Sequence, residues 1–294
     1  MNTFYLSTVA VMRRLAVTAV FAVGILTASA QDLENSLLWK VEGEEIKTSY
    51  LFGTIHLVSQ SDFELKPRVI DALQASETLV LEIDMSDPAA QGKIMQKAPM
   101  KGGATLDKLL DQETFGKLDK MLQESIGASA GFMNGWKPFV VSTFLIGRLI
   151  DGSPASFEAS LAQAAKRREM PVMAFETVEQ QMALFDEVPY ETQAVSLAEM
   201  VNDEARMKKL FAEMVKLYRA EKVNDLYALL EEQMQEGEED VLITDRNEKW
   251  VPLFGKMAED SRLFVAVGAG HLPGDRGLVN LLREAGYKVT AVEE

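Results

Sequence analysis

Residues 50–59, YLFGTIHLVS, form an apolar run that ends in a turn of the form Gly-x-x-His. The chain has only two histidines, and this turn carries one of them, His56. The other, His271, lies in residues 264–274, FVAVGAGHLPG, again three residues after a glycine. Because only 19 of 294 residues are glycine, the same spacing at both histidines is a rare coincidence. We therefore expect the two GxxH turns to act together.

The segments around these turns alternate between strand and helix patterns. Residues 66–77, KPRVIDALQASE, have apolar positions at helical spacing, and residues 78–84, TLVLEID, are a short apolar strand. The second turn is likewise followed by a helical segment, Gly286 and a C-terminal strand. Strand, helix and strand within about forty residues indicate a βαβ-like unit. The sequence therefore predicts an α/β fold with a mixed sheet flanked by helices.

Much of the remaining chain is helical in pattern. Residues 87–150 and 190–239 carry apolar stripes at helical spacing, which predicts a helical insertion in the α/β fold. Residues 137–150, KPFVVSTFLIGRLI, are too short an apolar run for a membrane span and predict a buried helix. Residues 171–176, PVMAFE, predict a strand, and residues 243–260 predict a helix capped near Thr244 or Asp245.

The N-terminus has the features of a secretory signal peptide. Arg13 and Arg14 precede an uncharged apolar stretch, and Ala28-Ser29-Ala30 forms a small-residue cleavage site. We expect residues 1–30 to be removed after Ala30, which leaves residues 31–294 as one domain. The protein is then periplasmic or secreted, and the absence of cysteine favours a bacterial periplasm. Met12 is an alternative start.

Charge and composition exclude several classes of partner. The formal charge is −15, and removal of the signal peptide makes it more negative by two. Nucleic acid and anionic membranes both require a basic surface, so neither is an expected partner. No stable membrane span is expected after signal cleavage. A peptide or small-molecule substrate remains, and the oligomeric state is left open.

Polar residues at strand ends could carry chemistry. The carboxyl ends of strands form the ligand crevice of open α/β sheets, and glycine there permits a sharp turn and close substrate approach. Glu82 and Glu176 follow apolar strands, as His56 and His271 do. Two imidazoles and a carboxylate such as Glu82 form a common metal set, which requires imidazoles less than about 8 Å apart.

Simpler explanations exist for each of these residues. A lone histidine is usually a satisfied structural residue, and a lone carboxylate at a strand end is usually a cap or an ion-pair partner. Arg246 and Asn247 are candidates for orienting substrate or supporting carboxylates. They could equally make ordinary hydrogen bonds at the start of a helix.

Taken in order, LWKVEG, YLFGTIHLV, LVLEID, FETVEQQMALF, TDRNEKW and VAVGAGHLPGDRGLVNLLREAGYKV resemble the TraB/GumN family, which is similar to the animal Tiki proteases. The resemblance implies an α/β fold with two pseudo-symmetric halves and metallopeptidase-like hydrolysis. It implies a divalent ion, such as manganese, cobalt or zinc, with His56, Glu82 and His271 as the metal residues. The implied catalytic residues are Glu82, Glu176, Arg246 and Asn247.

Together these features predict an exported hydrolase that uses a divalent metal ion to activate water against an amide or ester bond. Glu176 or Glu82 would transfer protons, and Arg246 would stabilise the oxyanion or bind a substrate carboxylate. One alternative is a metal-independent esterase with a histidine base. Others are a non-catalytic periplasmic protein that binds peptide, haem or metal, and a structural role in envelope polysaccharide export.

Overall fold

A computed structural model of the chain describes residues 33–293, and the predicted signal peptide of residues 1–30 lies outside this range. Export and cleavage after Ala30 therefore stay predictions. Within the described range, the strands are β1 (Leu38–Gly43), β2 (Ile46–Thr54), β3 (Val58–Ser59), β4 (Thr78–Leu81), β5 (Pro154–Ala155), β6 (Val172–Ala174), β7 (Leu263–Gly268) and β8 (Lys288–Ala291).

The helices of this range are α1 (Pro67–Ala75), α2 (Ala90–Lys97), α3 (Leu106–Leu109), α4 (Gln112–Ile126), α5 (Pro138–Thr143), α6 (Phe157–Arg167), α7 (Val178–Leu184), α8 (Tyr190–Asn202), α9 (Glu204–Arg219), α10 (Val223–Glu231), α11 (Asp245–Asp260) and α12 (Leu278–Glu284). Short 3-10 turns cover Lys101–Gly103, Ile146–Leu149 and Ala269–His271.

Six strands form one mixed sheet in the order β6-β4-β7-β2-β1-β8. The first four of these strands run parallel to one another, and β1 lies antiparallel between β2 and β8. The short strands β3 and β5 pair separately. The predicted α/β class with a mixed sheet and flanking helices is confirmed.

The two GxxH strands, β2 and β7, are neighbours in the middle of this sheet. Strand β2 is followed by its GxxH turn, helix α1 and strand β4, whereas β7 is followed by its GxxH turn, α12 and β8. Apart from the short strand β3 after the first turn, the order of elements is therefore the same at both GxxH turns. This repetition is the two-half arrangement that the family resemblance implied.

Two apolar cores hold these elements. The larger packs on the sheet and includes Leu38, Leu79 and Phe264, all fully buried. The second lies among α2–α5, α7 and α8, with Leu118 and Leu122 at its centre. The helical region predicted over residues 190–239 divides between them, because α8 packs in the second core whereas α9 and α10 pack on the first.

Helix α11 begins at Asp245, where its start was predicted, but the predicted side-chain cap and the predicted end of strand β6 were wrong. Helix α11 has no side-chain cap at Thr244 or Asp245, because a π-helical turn over Asp240–Thr244 runs directly into it. Strand β6 ends at Ala174, so Glu176 stands two residues beyond the strand rather than closing it. The Thr244 hydroxyl bonds Asp240 within the π-helical turn. Asp245 and Glu176 are instead bonded by Arg276 and Arg246, respectively, through tertiary contacts that no local pattern encodes.

Residues 137–150 form the short helix α5 and a 3-10 turn, with Val141 and Leu145 fully buried. None of the helices within residues 33–293 has the length and apolar character needed to span a bilayer.

Candidate functional site

The parallel pairing of β2 with β7 places the two GxxH turns side by side. Thr54, at the end of β2, is in register with Gly268, at the end of β7. His56 and His271 therefore leave the same edge of the sheet, although they come from opposite ends of the chain. Parallel strands end at one sheet edge, which is why the repeated motif becomes a single site.

The motif glycines make room for the opposite motif. A methyl group on Gly268 would lie 3.4 Å from a Glu82 oxygen and 3.7 Å from the nearest ring atoms of both His56 and His271. A methyl group on Gly53 would lie 2.7 Å from Leu272. Neither glycine has a positive φ. The predicted need for a sharp turn was therefore wrong, and close packing of the two turns explains both residues.

The same contacts limit the separation of the histidines. The nearest atom of each ring lies 3.7 Å from the Cβ position built on Gly268, so these two ring atoms are at most twice that distance apart. This separation is below the value of about 8 Å that would prevent one ion from contacting both imidazoles.

Glu82 directly follows β4 and is buried between the two turns. One carboxylate oxygen accepts the Gly268 N–H at 2.8 Å, and the other accepts Arg246 Nη2 at 2.6 Å. Burial opposes ionisation, but positive charge holds the pKa of Glu82 below its ordinary value: that of His271 at the low pH where its ring is protonated, and those of Arg246 and His56 throughout. Glu82 is therefore a carboxylate at neutral pH.

Arg246 is the cation at the centre of the site. Its Nε and Nη2 donate to the two oxygens of Glu176 at 3.0 Å, and Nη2 also donates to Glu82. Its Nη1 donates to the Leu242 carbonyl at 2.9 Å and lies 3.3 Å from His271 Nε2. Because Arg246 and Glu82 are buried and Glu176 is largely so, the loss of any one of these charges would leave the others without a partner and destabilise the fold.

His271 is held as a neutral ring. The Asn247 amide nitrogen donates to the carbonyls of His271 and Arg276, so Asn247 Oδ1 accepts from His271 Nδ1 at 2.7 Å. This network assigns the ring proton to Nδ1 and leaves the Nε2 lone pair facing Arg246. Burial, followed by the charges of Arg246 and His56, lowers the pKa of His271 to about 3 despite Glu82.

His56 is held on the other side of Glu82. Its Nδ1 lies 3.0 Å from Glu158 Oε1, which also accepts the Thr54 hydroxyl. The side chain is 68% exposed, at the mouth of a cleft. Desolvation by the cleft walls disfavours the charged ring of His56. The hydrogen bond and charge of Glu158, with the charge of Glu82, outweigh it and raise the pKa of His56 to about 9.

The cleft beside His56 has a volume of about 1190 Å³. Its lining is mainly apolar and comes from α6, the exits of β2 and β4, and β6. His56, Glu82 and Glu158 lie on its wall, whereas Glu176, Arg246, Asn247 and His271 lie behind it. The cleft gives a ligand direct access to His56 and Glu82.

All six residues predicted from the sequence lie in one connected group, which consists of His56, Glu82, Glu176, Arg246, Asn247 and His271. Sequence reasoning missed Glu158, which lies in another element and has no motif of its own. It also missed Trp250, which donates to Glu176 at 3.0 Å and packs on His271 with ring centres 4.6 Å apart.

The donors suit a divalent metal ion in kind. Each histidine has its Nδ1 anchored by an oxygen, as metal-ligating histidines usually do, and Glu82 lies between them. These donors do not yet form a complete metal site, however. Within residues 33–293, no three His, Cys, Asp or Glu side chains are close enough together to hold an ion. Arg246 stands beside both Glu82 and His271, where an ion would bind.

Comparison with known proteins relates most of the chain to one family. The model of the TraB/PrgY/gumN family matches residues 37–291. The uncharacterized protein YbaP of Shigella flexneri is 25% identical over 239 residues, which cover 80% of this chain and 88% of YbaP. YbaP of Escherichia coli strain K12 is also 25% identical, over 238 residues.

More distant relatives have an assigned activity in their names. Metalloprotease TIKI2 of Danio rerio is 21% identical over 313 aligned residues, and that of Xenopus tropicalis is 23% identical over 324. The alignments cover 87% and 90% of this chain but only 60% and 61% of the TIKI2 proteins. No solved structure matches the chain.

Proposed function

The chain belongs to the TraB/PrgY/gumN family, and from this premise we propose that it is a metal-dependent hydrolase of peptide or related amide and ester bonds. The observation that carries the proposal is the matched anchoring of the two histidines. Glu158 and Asn247 hold the Nδ1 atoms, so that both rings present Nε2 towards the region of Glu82 and Gly268. The name of the TIKI2 relatives supports the same class of activity.

The proposed metal residues are His56, His271 and Glu82. A divalent ion held there would supply Lewis-acid chemistry at neutral pH. Each proposed ligand already has a partner that fixes it: Glu158 on His56, Asn247 on His271, and the Gly268 N–H on Glu82. Such partners orient a ligand and tune its basicity.

Two features control how readily an ion enters. His56 must lose its proton, because the pKa of about 9 keeps the ring charged at neutral pH. Arg246 must release its Nη1 contact with His271, because that contact uses the Nε2 lone pair. Arg246 can keep its two bonds to Glu176 while it does so.

The chain's own residues account for the remaining roles in this proposal. The Glu158–His56 pair lies in the cleft and can hold or donate a proton at Nε2, next to a bound substrate. Glu82 faces the same space as a carboxylate. Arg246 and Glu176 lie behind them and keep the buried charges balanced. Asn247 acts only through His271, because its side chain is fully buried.

A metal-independent hydrolase is the second candidate, and the exposed carboxylate–imidazole pair of Glu158 and His56 favours it. Such a pair acts in many hydrolases without a metal. At neutral pH the raised pKa would make His56 a proton donor rather than a base. Hydrolysis that persists after complete chelation would support this candidate.

The test is metal content and peptide hydrolysis of the purified chain, stripped with chelator and reloaded with manganese, cobalt or zinc. We expect one ion per chain and metal-dependent cleavage of a mixed peptide library, measured by mass spectrometry. His56→Ala, His271→Ala and Glu82→Gln should each lower activity by at least about a hundredfold. Glu179→Gln, at a half-buried carboxylate on α7 that faces Lys93 and lies outside the cleft lining, is the matched control. An unmetallated chain with no hydrolysis would leave a binding protein as the better explanation.

A further inference from the structure

The cleft beside His56 runs along one face of α6. Glu158, Ala159, Ala162 and Lys166 all line it and lie at helical spacing on that face. Glu158 contacts His56 near the start of the helix, and Lys166 stands in its last turn. Eight residues of α-helix separate these two ends by about 12 Å. The cleft therefore has a defined length beyond the proposed reacting centre.

The walls between these ends are apolar. Leu57 and Leu81 line the cleft near His56, and Ile83 and Met85 follow from the exit of β4. Met85 is 51% exposed, so its apolar surface is accessible to a ligand in the cleft. A ligand with apolar side chains would cover these surfaces and remove them from water.

One wall also contains the free edge of the sheet. Strand β6 is the last strand in the sheet order, so it pairs only with β4. Pro171 and Val172, where this strand begins, line the cleft. Pro171 has no N–H and its carbonyl accepts the Leu79 N–H, so Val172 is the one of the two that can offer free backbone groups. An edge strand has unpaired backbone N–H and C=O groups that can bind an extended peptide. This feature favours a peptide over a purely apolar chain.

The two ends of the cleft differ in charge. The end at His56 has the carboxylates of Glu82 and Glu158. Lys166 is the only lysine or arginine among the residues that line the cleft, and its side chain has no ion pair or hydrogen bond within the described chain. Glu169 shares that end without pairing to it. With the charged ring of His56 beside its two carboxylates, the first end keeps a net negative charge and disfavours a terminal carboxylate, whereas Lys166 at the second end offers a cation beside Glu169.

We propose that the cleft binds the last three or four residues of a short apolar peptide, with its C-terminal carboxylate at Lys166. The number of residues follows from the length, since extended chain rises about 3.3 Å per residue and the cleft spans about 12 Å. The amide bond that precedes this segment then lies at His56. This inference rests on the proposed function, because it takes the occupant of the cleft to be the substrate.

The experiment measures binding rather than turnover. The probe is Ala-Leu-Ala-Leu labelled at its N-terminus, with either a free carboxylate or a C-terminal amide, followed by fluorescence anisotropy at low salt. The full chain is used with the His56→Ala substitution, which blocks cleavage of the probe and alters a largely exposed side chain. Lys166→Met is then added, and Lys209→Met on α9 is the matched control for lost charge.

We expect the carboxylate form to bind about three- to fivefold more tightly than the amide, the range of a partly exposed ion pair. Lys166→Met should remove this preference and leave amide binding unchanged, whereas Lys209→Met should retain it. Ala162→Phe should weaken both forms by filling the cleft. Equal binding of the two forms, a preference that survives Lys166→Met, or no binding at all would overturn the inference.

Its failure can be told apart from failure of the proposed function. If the protein binds the carboxylate peptide at Lys166 but hydrolyses no peptide, the proposed binding mode is supported and the proposed hydrolase activity is contradicted. If the protein hydrolyses peptides equally well whether they end in a carboxylate or an amide, the hydrolase activity is supported and the proposed binding mode is contradicted. Displacement of the peptide by dodecanoate at much lower concentration would assign the cleft to acyl chains and also overturn the inference.

Discussion

The two histidines differ in charge at neutral pH because their partners differ. His56 faces the carboxylate of Glu158, which favours the charged ring. His271 faces the guanidinium of Arg246 and the neutral amide of Asn247, in a fully enclosed position. The pKa values of about 9 and about 3 follow from these contacts. One motif therefore presents a cation and the other a neutral ring.

Titration of the two imidazoles by NMR tests this difference directly, since the chain has no other histidine. In metal-free protein, we expect one ring to titrate near pH 9 and the other to stay neutral above about pH 4. His56→Ala assigns the signals. Two rings that both titrate near pH 6.5 would contradict the charge assignment.

The raised pKa of His56 also determines how the stability of the fold changes with pH. The pKa of His56 lies above its unfolded value of 6.5, so the charged ring stabilises the fold fully below pH 6.5. This contribution is lost as the pH rises through about 9. Glu158→Gln should remove most of it and shift the His56 titration towards neutral pH.

Glu179→Gln, at a half-buried position of α7, is the control for this substitution and should leave the His56 titration unchanged. A Glu158→Gln protein whose His56 still titrates near pH 9 would show that the charge on the ring has another source. Urea unfolding at pH 6 and pH 9.5 measures the stability difference.

At the scale of elements, contact between the two GxxH turns depends on glycine. A methyl group on Gly53 would meet Leu272 at 2.7 Å and the Ala269 backbone at 3.1 Å. Leu272 is fully buried, so it has little room to move. The turns can therefore approach closely only when no side chain stands at this position.

Gly53→Ala should destabilise the protein by about 1–3 kcal/mol, because it overpacks a closed contact. Gly116→Ala is the contrasting control, since Gly116 lies in α4 with nothing near its Cβ position. That change should stabilise the helix by about 0.5–1 kcal/mol. Urea unfolding measures both, and equal effects of the two substitutions would contradict the packing explanation.

At the scale of the whole molecule, the site lies mainly on the sheet core, although Gln181 of α7 donates to Glu82 at 3.5 Å. Its residues come from the exits of β2, β4, β6 and β7 and from α6 and α11. The second core lies among α2–α5, α7 and α8. A defect in the second core should therefore cost stability without changing the charges at the site.

Leu122→Ala tests this separation, because Leu122 is fully buried in the second core. We expect a loss of about 2–5 kcal/mol in the free energy of unfolding, measured in urea. The two histidine titrations of the folded protein should stay as in the unchanged chain. Altered titrations would show that the second core also sets the geometry of the site.

Much of the site could be predicted because its residues are rare or follow apolar strands. The two histidines share one motif, and Glu82 and Glu176 each follow an apolar run. Glu158 could not be predicted, because its contact with His56 joins residues of different elements across a large sequence distance. The role of the glycines was also misjudged, since packing between two distant turns leaves no local signal.

The sequence by itself determined the alternation of strands and helices, the α/β class and the two matched turns, because apolar periodicity and glycine spacing are local properties. Only the tertiary structure decided which side chains meet. It set the parallel pairing of β2 with β7, the central position of Arg246 and the opposite charges of the two histidines. The physical reason is that these properties depend on distances and burial between segments far apart in the chain, and no local pattern fixes them.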